Sequence, residues 1–234
     1  MKFQELRQEV CNTNRALAEA GLVLLTFGNL SGVDRQQGVM GIIPSAVRYD
    51  KLQPEDIVVL SIETGEVIEG DLRASSDTPT HLLLYQNLPT IGGIVHMHSS
   101  YATSWAQAQR ATSCMGITHA DHFNGPVPLT RKLRSEDISS NYEYNTGKVI
   151  IEYLSGQQGN LEQISAVLVP QHGPFVWGKT PESALENAVA LEEIARMAMY
   201  AVLLNPQAQE LGQALLDKHF TRKHGSKAYY GQKD

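Results

Sequence analysis

The 234 residues can bury a full core, and 42% hydrophobic with 19% charged content is that of an ordinary soluble globule. A formal net charge of -6 argues against a general nucleic-acid surface, and Cys11 and Cys114 are too few and too widely spaced for a disulfide framework or a thiolate zinc site. Residues 1–20 carry charges without an apolar signal core and no apolar run approaches the ~20 residues of a membrane helix, so no membrane partner is expected and the cytosol is the expected compartment.

Phe3, Leu6, Val10, Leu17 and Ala18 recur at helical spacing with Gly21 as a stop, so residues 2–20 read as an amphipathic helix. Residues 22–25 read as a strand approach. Gly28-Asn29 is a turn pair whose N–H groups suit an anion as well as a plain turn. Residues 31–33 and 38–43 read as two strands, the second broken by Pro44-Ser45-Ala46. Residues 57–60 are a strong strand, Thr64-Gly65 supplies a hairpin turn, and 66–69 return.

Ser75-Ser76-Asp77-Thr78-Pro79 precedes an apolar run ending near Gln86. Ser76 or Asp77 can cap this helix, and a helix N-terminus also attracts phosphate, though capping alone accounts for the residues. The stretch from Gly92 to Ser100 then reads as a buried strand ending in two imidazoles. Residues two apart on a strand share a face, so His96 and His98 point together and Met97 points away. Two converging imidazoles are half of a zinc-type site, although a lone His-x-His equally suits two hydrogen-bonded core histidines.

Ser99 can cap a helix to about Gln109, with Trp105 packed inward. Residues 116–122 crowd His119, Asp121 and His122 into a loop, and Pro126 and Pro128 exclude regular helix there; such a loop is either simply solvated or carries chemistry. Residues 142–154 read as a helix weakened by Gly147, and 156–160 as a flexible connector. A buried strand at 166–169 ends at Pro170, with a third imidazole, His172, just beyond it and a further strand at 175–177. Thr180-Pro181-Glu182 starts a helix to about Leu204, with cap, proline and acid in place. Another helix spans roughly 206–223, and the apolar stripes of these two suit core or subunit contact. The tail 226–234 carries Tyr229-Tyr230 and is either frayed or docked on a neighbour.

His96, His98 and His172 together make the three-ligand set that catalytic zinc uses while keeping a position open. Five blocks carry a wider likeness: Ser75-Ser76-Asp77-Thr78-Pro79-Thr80-His81, residues 92–99, Thr118-His119-Ala120-Asp121, Gln171-His172-Gly173-Pro174-Phe175, and the ending from Lys223-His224-Gly225 to Tyr229-Tyr230-Gly231-Gln232. In this order they resemble the L-ribulose-5-phosphate 4-epimerases, a branch of the class II aldolase and adducin-head superfamily, over nearly the whole chain.

The resemblance implies one domain over residues 1–234, with a three-layer α/β/α fold whose central, mostly antiparallel sheet is flanked by helices. It implies a cyclic homotetramer with active sites between subunits. It implies Zn2+, or another divalent cation such as Mn2+, on His96, His98 and His172, with Asp77 close to the metal. It implies a phosphate cradle of Gly28, Asn29, Ser45, Ala46, Ser75 and Ser76, and proton transfer by Asp121 and by Tyr230 from an adjacent subunit. His219 and Glu143 also match family active-site positions.

The implied reaction inverts C4 of a ketopentose 5-phosphate, L-ribulose 5-phosphate to D-xylulose 5-phosphate. A base takes the C4 hydroxyl proton, the C3–C4 bond breaks, the cation stabilises the enediolate, and the bond re-forms on the other face of the aldehyde. The chain departs from the pattern where those enzymes carry Lys-Pro-Ser-Gly: here stands Ile43-Pro44-Ser45-Ala46. A positive charge is gone and a glycine has gained a methyl. Ile117 replaces a threonine, and Arg48, at a position more usually acidic or neutral, is expected to restore part of the lost charge. The alternatives are a class II aldolase that releases its aldehyde and a non-catalytic domain like the adducin head. The last expects eroded ligands, whereas all three histidines stand.

Overall fold

The computed structural model describes residues 2–157, 163–224 and 228–229. Seven apolar, β-branched or glycine-bearing segments form strands: β1 (Gly28–Asp34), β2 (Val39–Ile42), β3 (Val58–Ser61), β4 (Val67–Glu69), β5 (Gly93–Met97), β6 (Ala166–Val169) and β7 (Gly173–Gly178). Their order is β4-β3-β2-β1-β5-β7-β6. Every ladder is antiparallel, so the sheet is more uniform than the mostly antiparallel one expected. Among the described residues the parallel pairing seen is the isolated bridge of Leu129 to Leu168.

The helices are α1 (Gln4–Glu19), α2 (Thr78–Asn87), α3 (Ser100–Gln107), α4 (Ile117–Ala120), α5 (Ser135–Ser139), α6 (Tyr142–Ser155), α7 (Pro181–Leu204) and α8 (Gln213–Lys223). Strand alternation sends Met40, Ile42, Val58, Ile94 and Phe175 to one face, where Leu84 and Tyr85 of α2 and Ile150 of α6 cover them. Leu30, Val95, Met97 and Val176 face the other way, against Trp105 of α3 and Leu191 of α7. Leu6 and Val10 of α1 close that face over β2 and β3. These are the three layers, and each buried large aliphatic side chain in them contributes roughly 1.5–3 kcal/mol. Cys114, Ala120 and Leu216 form a smaller core that joins α4 to α8.

The start of α7 shows how local chemistry sets the packing. Thr180 Oγ1 accepts the Ser183 N–H at 3.1 Å, Ser183 Oγ accepts the Thr180 N–H at 2.9 Å, and Pro181 fills the first turn. That turn lies directly on β5, because Gly93 has no Cβ; one placed there would sit 2.5 Å from Pro181 Cα.

Several expectations are corrected. Residues 22–25 are not a strand approach: Leu24 and Leu25 are exposed, Leu25 adopts φ 57°, and Phe27 N–H closes back on the Leu24 carbonyl, so the run turns sharply into β1. The last helix begins at Gln213 rather than near 206, since Asn205 Oδ1 takes the Gln207 N–H at 3.0 Å and holds the chain in a turn. Residues 116–122 are not a solvated loop; the short α4 buries His119 and Ala120, and Asp121 is nearly buried. Of the connector at 156–160, residues 158–160 lie outside the described residues, as does the tail apart from Ala228 and Tyr229. No helix among the described residues is long and apolar enough to cross a membrane.

Gly93→Ala is expected to destabilise the fold by about 2 kcal/mol or more, because its methyl meets backbone atoms that cannot give way. Gly212→Ala, where a Cβ meets nothing within 4 Å, serves as the control. Urea midpoints of the two variants check the contrast; equal midpoints would remove the close approach of α7 to β5.

Candidate metal centre

β5 and β7 are antiparallel neighbours with His96 opposite Phe175, so the end of β5 lies beside the start of β7. A tight turn after β6, with Gln171 at φ 60° and the His172 N–H on the Val169 carbonyl, delivers His172 to the same point. Gly173 permits the approach, since a Cβ there would lie 2.7 Å from the Met97 carbonyl. The rings of His96, His98 and His172 converge with centroids 4.7–5.3 Å apart, and one ring nitrogen from each lies within 4.8 Å of the others.

Hydrogen bonding fixes the orientation of His96. Its Nδ1 lies 3.0 Å from the Pro174 carbonyl, which can only accept, so Nδ1 carries the hydrogen and Nε2 the lone pair. That Nε2 faces His98 Nε2 at 3.1 Å. A cation about 2.0–2.1 Å from each of two nitrogens would separate tetrahedral donors by about 3.4 Å, so the pair fits a small divalent ion with little movement. His96 stacks on Phe175 with centroids 4.2 Å apart, and Tyr142 Oη reaches His172 Nδ1 at 3.3 Å. Burial, reinforced by the neighbouring imidazoles, pushes His96 and His172 down to about 3, and burial lowers His98 as well. All three rings are therefore neutral near pH 7, the state a ligand requires.

Asp77 stands at the N-terminal cap position of α2, but its side chain makes no cap. Its Oδ2 instead accepts the Asn29 amide at 2.7 Å, and its charge acts on His98 and His172 in the sense that favours their protonated forms. Asn29 uses its other amide hydrogen on Ser75 Oγ at 3.1 Å. Ser75 Oγ also accepts the Asp77 N–H, which leaves its own proton free to donate. A cleft of about 230 Å³ joins Gly28, Asn29 and Asp77 to Ser45, Ala46, Ser75 and Ser76.

The two sides of the cleft are held by backbone pairing of 43–45 with 73–75. Gly28-Asn29 is not a free turn but the first two residues of β1. Gly28 at φ 115° passes so near β5 that a Cβ would lie 2.7 Å from the His96 carbonyl. Ala46 holds φ 62°, a left-handed conformation that costs a non-glycine residue about 1 kcal/mol. Arg48 lies outside the lining, its side chain 74% exposed and paired with Asp50 at 2.9 Å. Its charge is answered there and not in the cleft.

A second cluster joins α4 to α8. Arg222 grips the Asp121 carboxylate through Nε at 2.9 Å and Nη2 at 2.5 Å, and His219 Nδ1 lies 3.0 Å from Oδ1. Burial pushes the Asp121 carboxyl up, but the Arg222 and His219 hydrogen bonds and the nearby cations outweigh it and hold the group below the ordinary carboxylate value. Since an ionised carboxylate only accepts, His219 donates from Nδ1. The charges acting on this cluster come from α8, whereas those acting on the triad come from Asp77 and the imidazoles themselves. Glu143, in the first turn of α6, neighbours Tyr142 and gives its carbonyl to the Thr80 hydroxyl. Tyr230 lies outside the described residues.

Three contacts had no signal in the residue pattern. Phe175 stacks on His96 only because the β5–β7 register sets them opposite. Tyr142 meets His172 through the packing of α6, and the Asn29 side chain reaches Asp77 across 48 residues of sequence.

The model of the class II aldolase and adducin N-terminal domain family matches residues 8–199. An L-fuculose 1-phosphate aldolase shares 25% identity and a TM-score of 0.78, with 93% of this chain and 95% of that chain covered. YgbL from Klebsiella pneumoniae, described by the words aldolase, epimerase and decarboxylase, shares 25% identity and a TM-score of 0.70 over 93% of this chain and 99% of its own. A sugar-phosphate aldolase from Thermotoga maritima, at 18% identity, has the same fold with a TM-score of 0.67 over 88% of this chain and 98% of its own. With a family match across most of its length, a helix-flanked antiparallel sheet and three imidazoles converging at the ends of two neighbouring strands, the chain belongs to the class II aldolase and adducin N-terminal domain family.

Proposed function

We propose that the chain is a divalent-metal-dependent sugar-phosphate enzyme that breaks and remakes the C3–C4 bond of a ketopentose 5-phosphate, an L-ribulose 5-phosphate 4-epimerase. The observation that carries this reading is the neutral triad of His96, His98 and His172, beside a polar cleft sized for a small anion. The three imidazoles would hold Zn2+ or Mn2+, and the ion supplies Lewis acidity that stabilises negative charge developing on the substrate oxygens.

The chain's own groups do the remaining work. The Pro174 carbonyl and the Phe175 ring keep His96 oriented, and Asn29 keeps the Asp77 carboxylate beside the imidazoles. The Ser45, Ser75 and Ser76 hydroxyls, with Gly28, Asn29 and Ala46 around them, would receive the phosphate. Asp121 orients His219, whose Nε2 would take the C4 hydroxyl proton on one face, and Tyr230 would serve the opposite face. In a homotetramer a neighbouring copy would bring an Asp121 cluster to the triad. Glu143 would act beside Tyr142 at the rim of the triad.

Aldol cleavage with release of the aldehyde is the second reading. The likeness at 25% identity to an L-fuculose 1-phosphate aldolase favours it. Both readings share the same ligands, so product analysis decides: D-xylulose 5-phosphate from L-ribulose 5-phosphate supports epimerisation, and free dihydroxyacetone or its phosphate supports cleavage.

Metal analysis of the purified protein is expected to find about one divalent ion per chain, removed by chelators and greatly reduced in His172→Ala. An ion content unchanged by His172→Ala would end the triad reading. Asp121→Asn is expected to keep the ion but to lower epimerisation by about 10²-fold, because the amide lacks the negative charge and the second acceptor oxygen that hold His219 and Arg222 together; full activity would remove Asp121 from the mechanism.

Acid gives a third check. His81, His96 and His172 titrate near 3 in the fold and His119 near 4, against 6.5 in the unfolded chain. Between those values the unfolded chain binds protons that the fold refuses. Their contribution to the stability of the metal-free protein is thus full above about 6.5 and lost progressively as pH falls toward 3. The urea midpoint at pH 5 is expected to lie below that at pH 7.5, and equal midpoints would contradict neutral buried imidazoles.

A further inference from the structure

His81 is fully buried on the α2 side of the sheet and has no part in the chemistry proposed above. Its Nδ1 lies 2.7 Å from Ser31 Oγ, and Ser31 Oγ lies 2.9 Å from Tyr85 Oη. Tyr85 Oη is also 3.0 Å from the Ser31 carbonyl. A carbonyl can only accept, so the phenol's one proton goes to it. Ser31 then sends its one proton to a lone pair of the phenol oxygen. Ser31 Oγ is left as the acceptor for His81, which places hydrogen on Nδ1 and a bare lone pair on Nε2. The opposite tautomer would strand an N–H at Nε2, an atom that is buried and without a hydrogen-bond partner among the described residues. Orphaned buried N–H groups are the rarer kind.

This string grips α2 at a set register. Asn29 and Ser31 stand two apart on β1 and share a face. Asn29 holds the Asp77 carboxylate at 2.7 Å, and Ser31 holds His81 one helical turn later, whose own N–H donates to the Asp77 carbonyl at 3.1 Å. Across the ladder Asn29 pairs with His96 and Ser31 with Ile94. The His81 ring also meets Phe175 edge-on at 6.2 Å, and Phe175 is the plate on which His96 stacks. One side of the string therefore sets Asp77 and the other sets the Phe175–His96 stack.

We propose that His81 in its Nδ1–H tautomer, together with Ser31 and Tyr85, is the positioning element that holds Asp77 and His96 in place for a divalent cation. The inference rests on the triad being a metal site. The test uses metal-free protein labelled with [15N]histidine, with His81 assigned by its loss in His81→Asn. Long-range 1H–15N correlation is expected to show the neutral Nδ1–H form, and an Nε2–H form overturns the proposal.

Tyr85→Phe keeps the ring volume but frees the Ser31 proton for His81 Nδ1. The expected result is a switch to the Nε2–H form and a Zn2+ affinity weaker by about tenfold in calorimetric titration. His81→Asn, whose amide N–H₂ stands where Nδ1–H stood, is expected to keep most of the affinity, and His81→Gln to lose about tenfold. Unchanged affinity in Tyr85→Phe, with the tautomer switched, overturns the string alone. A wild-type protein that binds no Zn2+ overturns the metal reading, and the positioning claim with it.

Discussion

His96 sits opposite Asn29 on one side and Phe175 on the other, and this single register of β5 between β1 and β7 organises everything nearby. It fixes which carbonyl holds the His96 ring, which aromatic plate lies under it, and which amide reaches Asp77. A slip of one residue would turn every side chain on β5 to the other face and send His96 into the layer against α3 and α7. The bare backbone of Gly28, Gly93 and Gly173 keeps that register tight, because each lies where a Cβ would strike backbone of a neighbouring segment.

The electrostatics of the two clusters divide their labour. The triad runs from buried His96 through half-buried His172 to exposed His98, is crowded and held neutral, and Asp77 is a carboxylate whose charge acts on His98 and His172. The Asp121 cluster is ionised, fixed by Arg222 and tied to α8, whose Leu216 packs with Cys114 and Ala120. One suits the capture of a cation and the other the movement of a proton.

The cleft proposed to receive phosphate is poor in positive charge. Ile43 stands where the resemblance to the epimerases leads one to expect a lysine, Ala46 carries a methyl at a left-handed position, and Arg48 spends its charge on Asp50 at the surface. What is left are hydroxyls arranged by hydrogen bonds, with Ser75 oriented by both Asn29 and the Asp77 N–H. If the cleft receives phosphate as proposed, it would do so through geometry and not through a counter-charge, and salt would screen such binding less than that of a lysine-lined site.

By itself the sequence determined the periodic features: α1, α6, the start of α7, the strand runs, and the shared face of His96 and His98. These depend on local spacing, capping and the two-residue alternation of a strand. It did not disclose that Gly28-Asn29 opens a strand, that residues 206–212 stay out of helix, or that the His119–Asp121 stretch is buried. The first and last were decided by partners distant along the chain, β5 against Gly28 and α8 over α4, and the second by a local turn that the Asn205 side chain closes on Gln207. Only the tertiary structure joined His172 to the other two imidazoles, through the antiparallel register of β5 and β7, and gave Asp77 to Asn29 instead of to its own helix. Period and propensity act over a few residues, whereas the geometry of this site is set by contacts between residues 48 or more apart, and no local pattern encodes which loops close.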